Sequence, residues 1–231
     1  MFGIPINVLP LAAMGTIVFL FGIRGFLHYQ KVKSPLTLYY SWTGVLFGLS
    51  GIFYALPFAI TSSVIILKST VTVADLLFYS ALMLQMRIIW YLGLKQKISF
   101  MWLFWPTLTI IIISLILDLS TRISAHYYVE NNIAVFATNQ TTLYLLALLS
   151  ISIIVVGFLT LMNVRDLKKR PQKIRLTTLG IMFIFTGMTV EYNFLFLNGS
   201  NTSSVIVLGY AIAAIGFIIG LFFVRSNKKY V

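Results

Sequence analysis

Apolar residues in this chain run in long stretches broken by short polar segments, and the stretches are too long for the strands of a sheet. About 20 consecutive apolar residues cross the hydrocarbon core of a bilayer as a helix. Seven runs reach that length, near 8–27, 38–60, 71–94, 99–118, 143–163, 176–197 and 204–224. The pattern predicts an all-α integral membrane protein, one seven-helix domain over 1–231. Connections between the runs are short except for Ser120 to Thr142, "STRISAHYYVENNIAVFATNQTT".

Composition agrees. Of the 231 residues 59% are hydrophobic and 10% charged, with a mean hydropathy of +0.96. A soluble domain carries about 25% charged residues. The opening "MFGIPINVLP" has no Lys or Arg, so it lacks the basic region of a secretory signal. The first run is therefore expected to stay as a helix. Cysteine is absent, which excludes disulfides, thiolate metal sites, cysteine nucleophiles and palmitoylation.

Charge placement then sets the orientation. Of 17 Lys and Arg, 14 fall on one side of the predicted spans, Lys68 and Arg122 fall on the other, and Arg87 lies within a span. Lys and Arg collect on the cytoplasmic side, so the N-terminus is predicted outside and the C-terminus inside. Three Asn-x-Ser/Thr sequons, at Asn139, Asn198 and Asn201, all fall on the predicted outer side as glycosylation candidates. Such residues also simply fill polar loops. Trp42, Trp90, Trp102 and Trp105 sit toward the inner ends of their runs, as an interfacial belt requires. The net charge of +12 thus reads as a topology device and an attraction to anionic inner-leaflet lipid, not to nucleic acid. The location expected is the cell membrane.

An offset of 136 residues aligns two runs without gaps. Lys33 meets Lys169, Pro35 meets Pro171, Gly44 meets Gly180, Phe47 meets Phe183, Gly51 meets Gly187 and Phe58 meets Phe194. Runs 1–3 and 5–7 would then be parallel repeats joined by the fourth, a 3+1+3 plan used by membrane transport folds.

Against this background a few polar residues stand out. In "TGMTVEYNFLF" Glu191 lies inside an apolar run and shares a helical stripe with Thr177, Gly180, Ile184 and Gly187. Small residues mark close helix contact in membranes, so Glu191 is expected to face other helices. The matching stripe on the second run is Ser41, Gly44, Gly48, Gly51 and Ala55, and the last run offers Gly209, Ala213, Gly216 and Gly220. An acid held in a membrane span costs roughly 2.5–3.5 kcal/mol on insertion scales and is a functional candidate. The alternative is a protonated or hydroxyl-bonded group that joins helices. Asp75, near the outer start of its run, is expected at a similar depth and closer to solvent. Glu191, Asp75 and Tyr192 are predicted to line a polar recess open to the outside, with Tyr79 and Arg87 further along the third run. Ligand binding there is expected to depend on pH, and Glu191→Gln to remove the dependence. Arg87 either snorkels to the headgroups or joins Gln85, Tyr79 and Trp90 in a polar core. The loop "NVRDLKKRPQKIR" carries Lys168, Lys169 and Arg170, read either as lipid contacts or as a docking surface for an acidic cytoplasmic partner.

Much chemistry is excluded. No predicted span contains a Lys for a retinal Schiff base. His28 and His126 fall at a helix end and in a loop, so they offer no haem ligand pair, and no carboxylate–histidine cluster suits a metal. Neither cofactor nor metal is expected, nor an enzymatic activity. Pro171-Gln172 is a chance match to the PQ-loop transporter motif. The N-out layout, "ADLLFYSALMLQMRIIWYLGL" on run 3, mid-span Pro106 in "LFWPTLTIIIISL", the long outer loop and the basic loop between runs 5 and 6 together resemble the seven-helix sensor regions of prokaryotic histidine kinases. The chain ends seven residues after Val224, so no kinase is expected to follow. The resemblance implies a stand-alone sensor or receptor-like module with a separate cytoplasmic partner. The repeat points instead to a SWEET-like small-solute transporter, and the small-residue stripes suit an accessory subunit of a larger complex equally well.

Reporter fusions test the orientation. Fusions after Lys97, Arg170 and Lys229 should read cytoplasmic, and fusions within 125–140 external. An external reading for the 165–175 loop overturns it, because the basic excess is concentrated there.

Overall fold

The computed structural model describes residues 8–60, 63–124, 128–130, 133–135, 140–165 and 170–196, with positions 10, 64, 121–124, 128–130, 133–135, 140, 171, 175 and 192–196 described by backbone alone. Its elements are α1 (Val8–Val32), α2 (Pro35–Ile60), α3 (Val64–Ile89) running into a π-helical turn (Trp90–Leu94), α4 (Met101–Ser124), β1 (Tyr128–Glu130), β2 (Ile133–Val135), α5 (Gln140–Val164) and α6 (Arg170–Phe196). Among the described residues six helices are long and apolar enough to cross a membrane. The run at 204–224 lies outside the described residues. In the long loop, β1 and β2 pair antiparallel, Tyr128 opposite Val135 and Glu130 opposite Ile133.

Several helices exceed their apolar runs. α3 begins at Val64 rather than 71, α4 continues to Ser124 rather than 118, and α6 begins at Arg170 rather than 176. The extension of α3 has a visible cause: Ser69, Thr70 and Thr72 donate to the carbonyls of Ile65, Ile66 and Lys68 one turn back, at 2.8–2.9 Å. A hydroxyl so satisfied adds a polar residue to a helix without breaking it. Two expectations change as a result. Lys31, Lys68 and Lys173 lie within membrane-length helices, so the spans do contain lysines, each near a helix end. Pro106 is the sixth residue of α4, not mid-span.

The bundle is built from antiparallel neighbours. α1 and α2 are joined by a tight turn in which Lys33 takes the left-handed conformation (φ 54°) and donates its backbone N–H to Tyr29 O at 2.8 Å. Pro35 opens α2, where its missing N–H costs no hydrogen bond. Glycines let the two helices approach: a Cβ at Gly15 would stand 2.9 Å from Gly48 O, and one at Gly44 would stand 2.9 Å from Gly22 Cα. The α5–α6 pair is built the same way, since a Cβ at Gly157 would stand 2.7 Å from Gly180 O and one at Gly180 would stand 2.9 Å from Gly157 O. Lipid gives helices no hydrophobic reason to associate, so contacts at this distance hold pairs through dispersion.

α3 sits between the pairs, against α2, α4 and α5. Tyr40, Leu82, Ile88, Ile153, Val156 and Phe183 form the centre of the main core, contributed by α2, α3, α5 and α6. The opposite faces carry Ile65, Trp102, Ile116 and Phe158, all exposed, as a lipid-facing surface requires.

Gly157 and Gly93 make a direct comparison. At Gly93 a Cβ meets only the side chain of Leu159, at 3.5 Å, whereas at Gly157 it meets helix backbone. Gly157→Ala should destabilise the protein by about 1–3 kcal/mol, read as a lower midpoint of thermal unfolding in detergent, while Gly93→Ala leaves the midpoint nearly unchanged. Equal midpoints for the two variants would show that the α5–α6 seam does not govern stability.

Candidate polar site in one half of the bundle

Three of the chain's five acidic residues lie inside the helices, and each is met by a hydroxyl from a neighbouring helix. Asp75 on α3 is buried and accepts a hydrogen bond from the Tyr54 hydroxyl of α2. Asp118 on α4 is 1% exposed and accepts a long hydrogen bond, 3.4 Å, from the Tyr79 hydroxyl of α3. Glu191 on α6 is half-buried and accepts from Ser150 Oγ of α5 at 2.6 Å. Carboxylates only accept when ionised, so hydroxyl donors on facing helices are the partners this geometry favours.

The chain path puts these three pairs in one half of the bundle. Alternate helices run in opposite directions, so the ends of α2, α4 and α6 lie with the starts of α3 and α5. At 1.5 Å per residue, Asp118 lies about 9 Å from the end of α4 and Glu191 about 7 Å from the end of α6. Asp75 is deeper than its apolar run implied. With α3 starting at Val64, it lies about 16 Å along the helix, and it is buried rather than facing solvent.

Further along, the character of the bundle changes. Ser152 Oγ on α5 donates to Gln85 Oε1 on α3 at 3.0 Å, and Tyr40 Oη on α2 shares a 2.5 Å hydrogen bond with Thr160 Oγ1 on α5. Around these pairs pack Leu82, Ile88, Ile153 and Val156, all fully buried. The Tyr40 ring lies 5.6 Å from that of Phe183. Gln85 is fully buried too, and its amide nitrogen has no hydrogen-bond partner among the described residues.

The structure distributes the predicted site residues over several seams. Glu191 is held on the α5–α6 seam and Asp75 on the α2–α3 seam. Tyr79 is tied to Asp118, a residue that sequence reasoning passed over because it closed the predicted fourth run. Leu117 and Leu119 on either side, with a helix continuing to Ser124, were the available signal. Arg87 lies at the other end of α3 among aromatic rings. Arg170 is exposed at the start of α6. The Tyr192 side chain, Lys168, Lys169 and the sequon residues Asn139, Asn198 and Asn201 lie outside the described residues. No protein-family model, curated protein or solved structure matches the chain.

Burial ranks the acid pairs. Removing a donor from a buried acceptor costs about 1–3 kcal/mol, and less where water reaches the group. Tyr54→Phe, which strips a donor from buried Asp75, should lower the unfolding midpoint in detergent more than Ser150→Ala, which strips one from half-buried Glu191. The reverse order would mean that Asp75 is held chiefly by other groups.

Proposed function

We propose that the chain is a stand-alone seven-helix sensor or receptor-like module of the cell membrane, with its N-terminus outside and its C-terminus in the cytoplasm. In this reading a small solute enters from the outer side and meets Asp75, Asp118 and Glu191. The signal leaves through a cytoplasmic partner docked on the basic loop at Lys168, Lys169 and Arg170. One observation carries the reading: the carboxylates lie in one half of the bundle, each on its own helix seam, while the other half is filled by Leu82, Ile88, Ile153, Val156 and the Tyr40–Phe183 contact. A polar half above an apolar, closely packed one suits sensing. A transporter has to open that packed half. No catalytic step belongs to this reading.

A SWEET-like small-solute transporter is the second reading, and the glycine seams favour it. Gly44 and Gly51 pack on α1, and their counterparts at the 136-residue offset, Gly180 and Gly187, pack on α5. Each pair therefore faces the helix preceding its own, as two copies of a three-helix unit would.

Because the chain has no cysteine, single-cysteine labelling in oriented membranes separates the readings. For a sensor, a membrane-impermeant maleimide added outside should label Glu191→Cys, at a half-buried position, while Val156→Cys, at a fully buried one, stays unlabelled from both sides. Labelling of Val156→Cys from the cytoplasmic side would sink the sensor reading in favour of transport. Protection of Glu191→Cys from the outside would remove the outer entry that both readings need.

A further inference from the structure

Arg87 is the one basic residue of α3 that lies deep in the membrane span, and its surroundings are aromatic. Its guanidinium carbon lies 4.3 Å from the ring centre of Phe100, 4.6 Å from that of Trp90 and 5.9 Å from that of Tyr39. Trp90 and Phe100 are themselves 6.0 Å apart, so the two rings stand nearly at right angles as seen from the guanidinium. They wall two sides of a corner, Tyr39 stands on a third, and Arg87 as a whole is half-buried. A guanidinium gains about 0.5–1 kcal/mol from such a ring at an exposed site and about 2 or more when desolvated.

The corner is held by its own backbone. Trp90 lies one turn beyond Arg87 on the same face of the helix, and its indole N–H donates to Ile98 O at 2.7 Å. The turn carrying Ile98 is closed by Lys97 N–H to Leu94 O at 2.8 Å. Phe100 follows at the entrance to α4, where its carbonyl accepts from Leu103 and Phe104 N–H at 3.0 Å. The π-helical turn at Trp90–Leu94 falls between these fixed points, and such turns concentrate at functional sites.

What the corner does not supply is an anion. A guanidinium offers five N–H donors. Among the described residues its only hydrogen bond is a long one, Nε to Tyr39 Oη at 3.5 Å, and no carboxylate pairs with it. Burying such a charge half out of water without a counter-ion is costly. A second cation stands nearby: Lys95 Nζ lies 4.8 Å over the Tyr91 ring, which meets the Tyr39 ring edge-on at 6.4 Å. Arg87 and Lys95 thus flank one aromatic pair. Arg87 lies about 10 Å along the helix from Leu94, the end of the span, within reach of the headgroup layer for a side chain of its length. Exposed Trp102 and Trp105 stand on the same end of α4, where an interfacial belt lies.

We propose that this corner of α2, α3 and α4 binds the phosphate of an anionic glycerophospholipid. The open edge of the Arg87 guanidinium takes two phosphate oxygens in its planar fork, and Lys95 meets the headgroup beside Tyr91. The rings keep the guanidinium in place and exclude water from its faces. The acyl chains lie against the outer surface of α3 and α4. This site is separate from the carboxylates and stands whichever functional reading holds.

The test measures lipid affinity of the purified full chain by native mass spectrometry, with phosphatidylglycerol, phosphatidylcholine and inorganic phosphate as separate probes. Phosphatidylglycerol should be retained most strongly, and Arg87→Gln should weaken it on the order of tenfold, the loss of one charged hydrogen-bonded contact. Lys31→Gln, a basic change at the same end of the bundle, should leave it unchanged. If Arg87→Gln does not accumulate, Arg87→Lys carries the test: it keeps the charge, loses the fork and should weaken binding several-fold. Equal retention of phosphatidylglycerol by the native chain and the Arg87 variants would overturn the proposal, as diffuse charge would then suffice. So would inorganic phosphate protecting Arg87 as well as the lipid does, which would make the site one for a free anion. Phosphatidylcholine bound as tightly as phosphatidylglycerol would also overturn it.

Discussion

The contact between α5 and α6 at Gly157 and Gly180 shows the constraint on which the rest of the bundle depends: helices in lipid hold together only where their backbones come close. Apolar side chains gain nothing by leaving lipid for one another, so the energy comes from dispersion at short range and from polar pairs. Two seams in this chain meet the first condition with glycines, α1–α2 and α5–α6. α3 has no such seam among the described contacts. Gly93, in the π-helical turn that follows it, meets only a leucine side chain.

α3 instead relies on polar pairs and aromatic contacts. Its Asp75 meets Tyr54, its Tyr79 meets Asp118, its Gln85 meets Ser152, and Ala74 O accepts from Ser50 Oγ at 2.8 Å. Each such pair ties α3 to one of α2, α4 or α5. Measured interhelical hydrogen bonds in membranes average about 0.6 kcal/mol, so no single pair fixes the helix. Together they fix its rotation, because each demands a particular face of α3 toward a particular neighbour. Apolar packing alone discriminates rotation poorly when both lipid and protein are apolar.

That division explains which parts of the structure were legible in the sequence. Long apolar runs announce membrane helices, and the stripes through Gly44 and Gly180 announced which faces would be close. Helix ends were less legible, because hydroxyls such as Ser69 and Thr70 bond back to their own helix and let it continue through polar sequence. Asp118 was passed over for that reason: it stood where the apolar run ended, though the helix does not end there. Partners were illegible altogether. Nothing in the sequence distinguishes Tyr54 from the other tyrosines or Ser150 from the other serines, since pairing is settled by the register of antiparallel neighbours. The cage at Arg87 was half visible. Trp90 lies at the helical spacing, but Phe100 arrives through a turn whose geometry depends on a π-helical segment.

Besides Lys68 near its start, α3 carries Asp75 in one half and Arg87 in the other. Between them lies Gln85, whose carbonyl is satisfied by Ser152 and whose amide nitrogen is not. An unpartnered buried donor costs about 1–3 kcal/mol, and buried Thr43, Ser114, Thr142 and Thr186 each hold a hydroxyl in the same condition among the described residues. α3 is held to its neighbours by several weak pairs along its length. In the sensing reading this is the element through which an event at the carboxylates would reach the basic end. In the transport reading the same helix would have to leave Ser152. The two mechanisms therefore differ in what they ask of the core at Ile153 and Val156, not in what they ask of the acids.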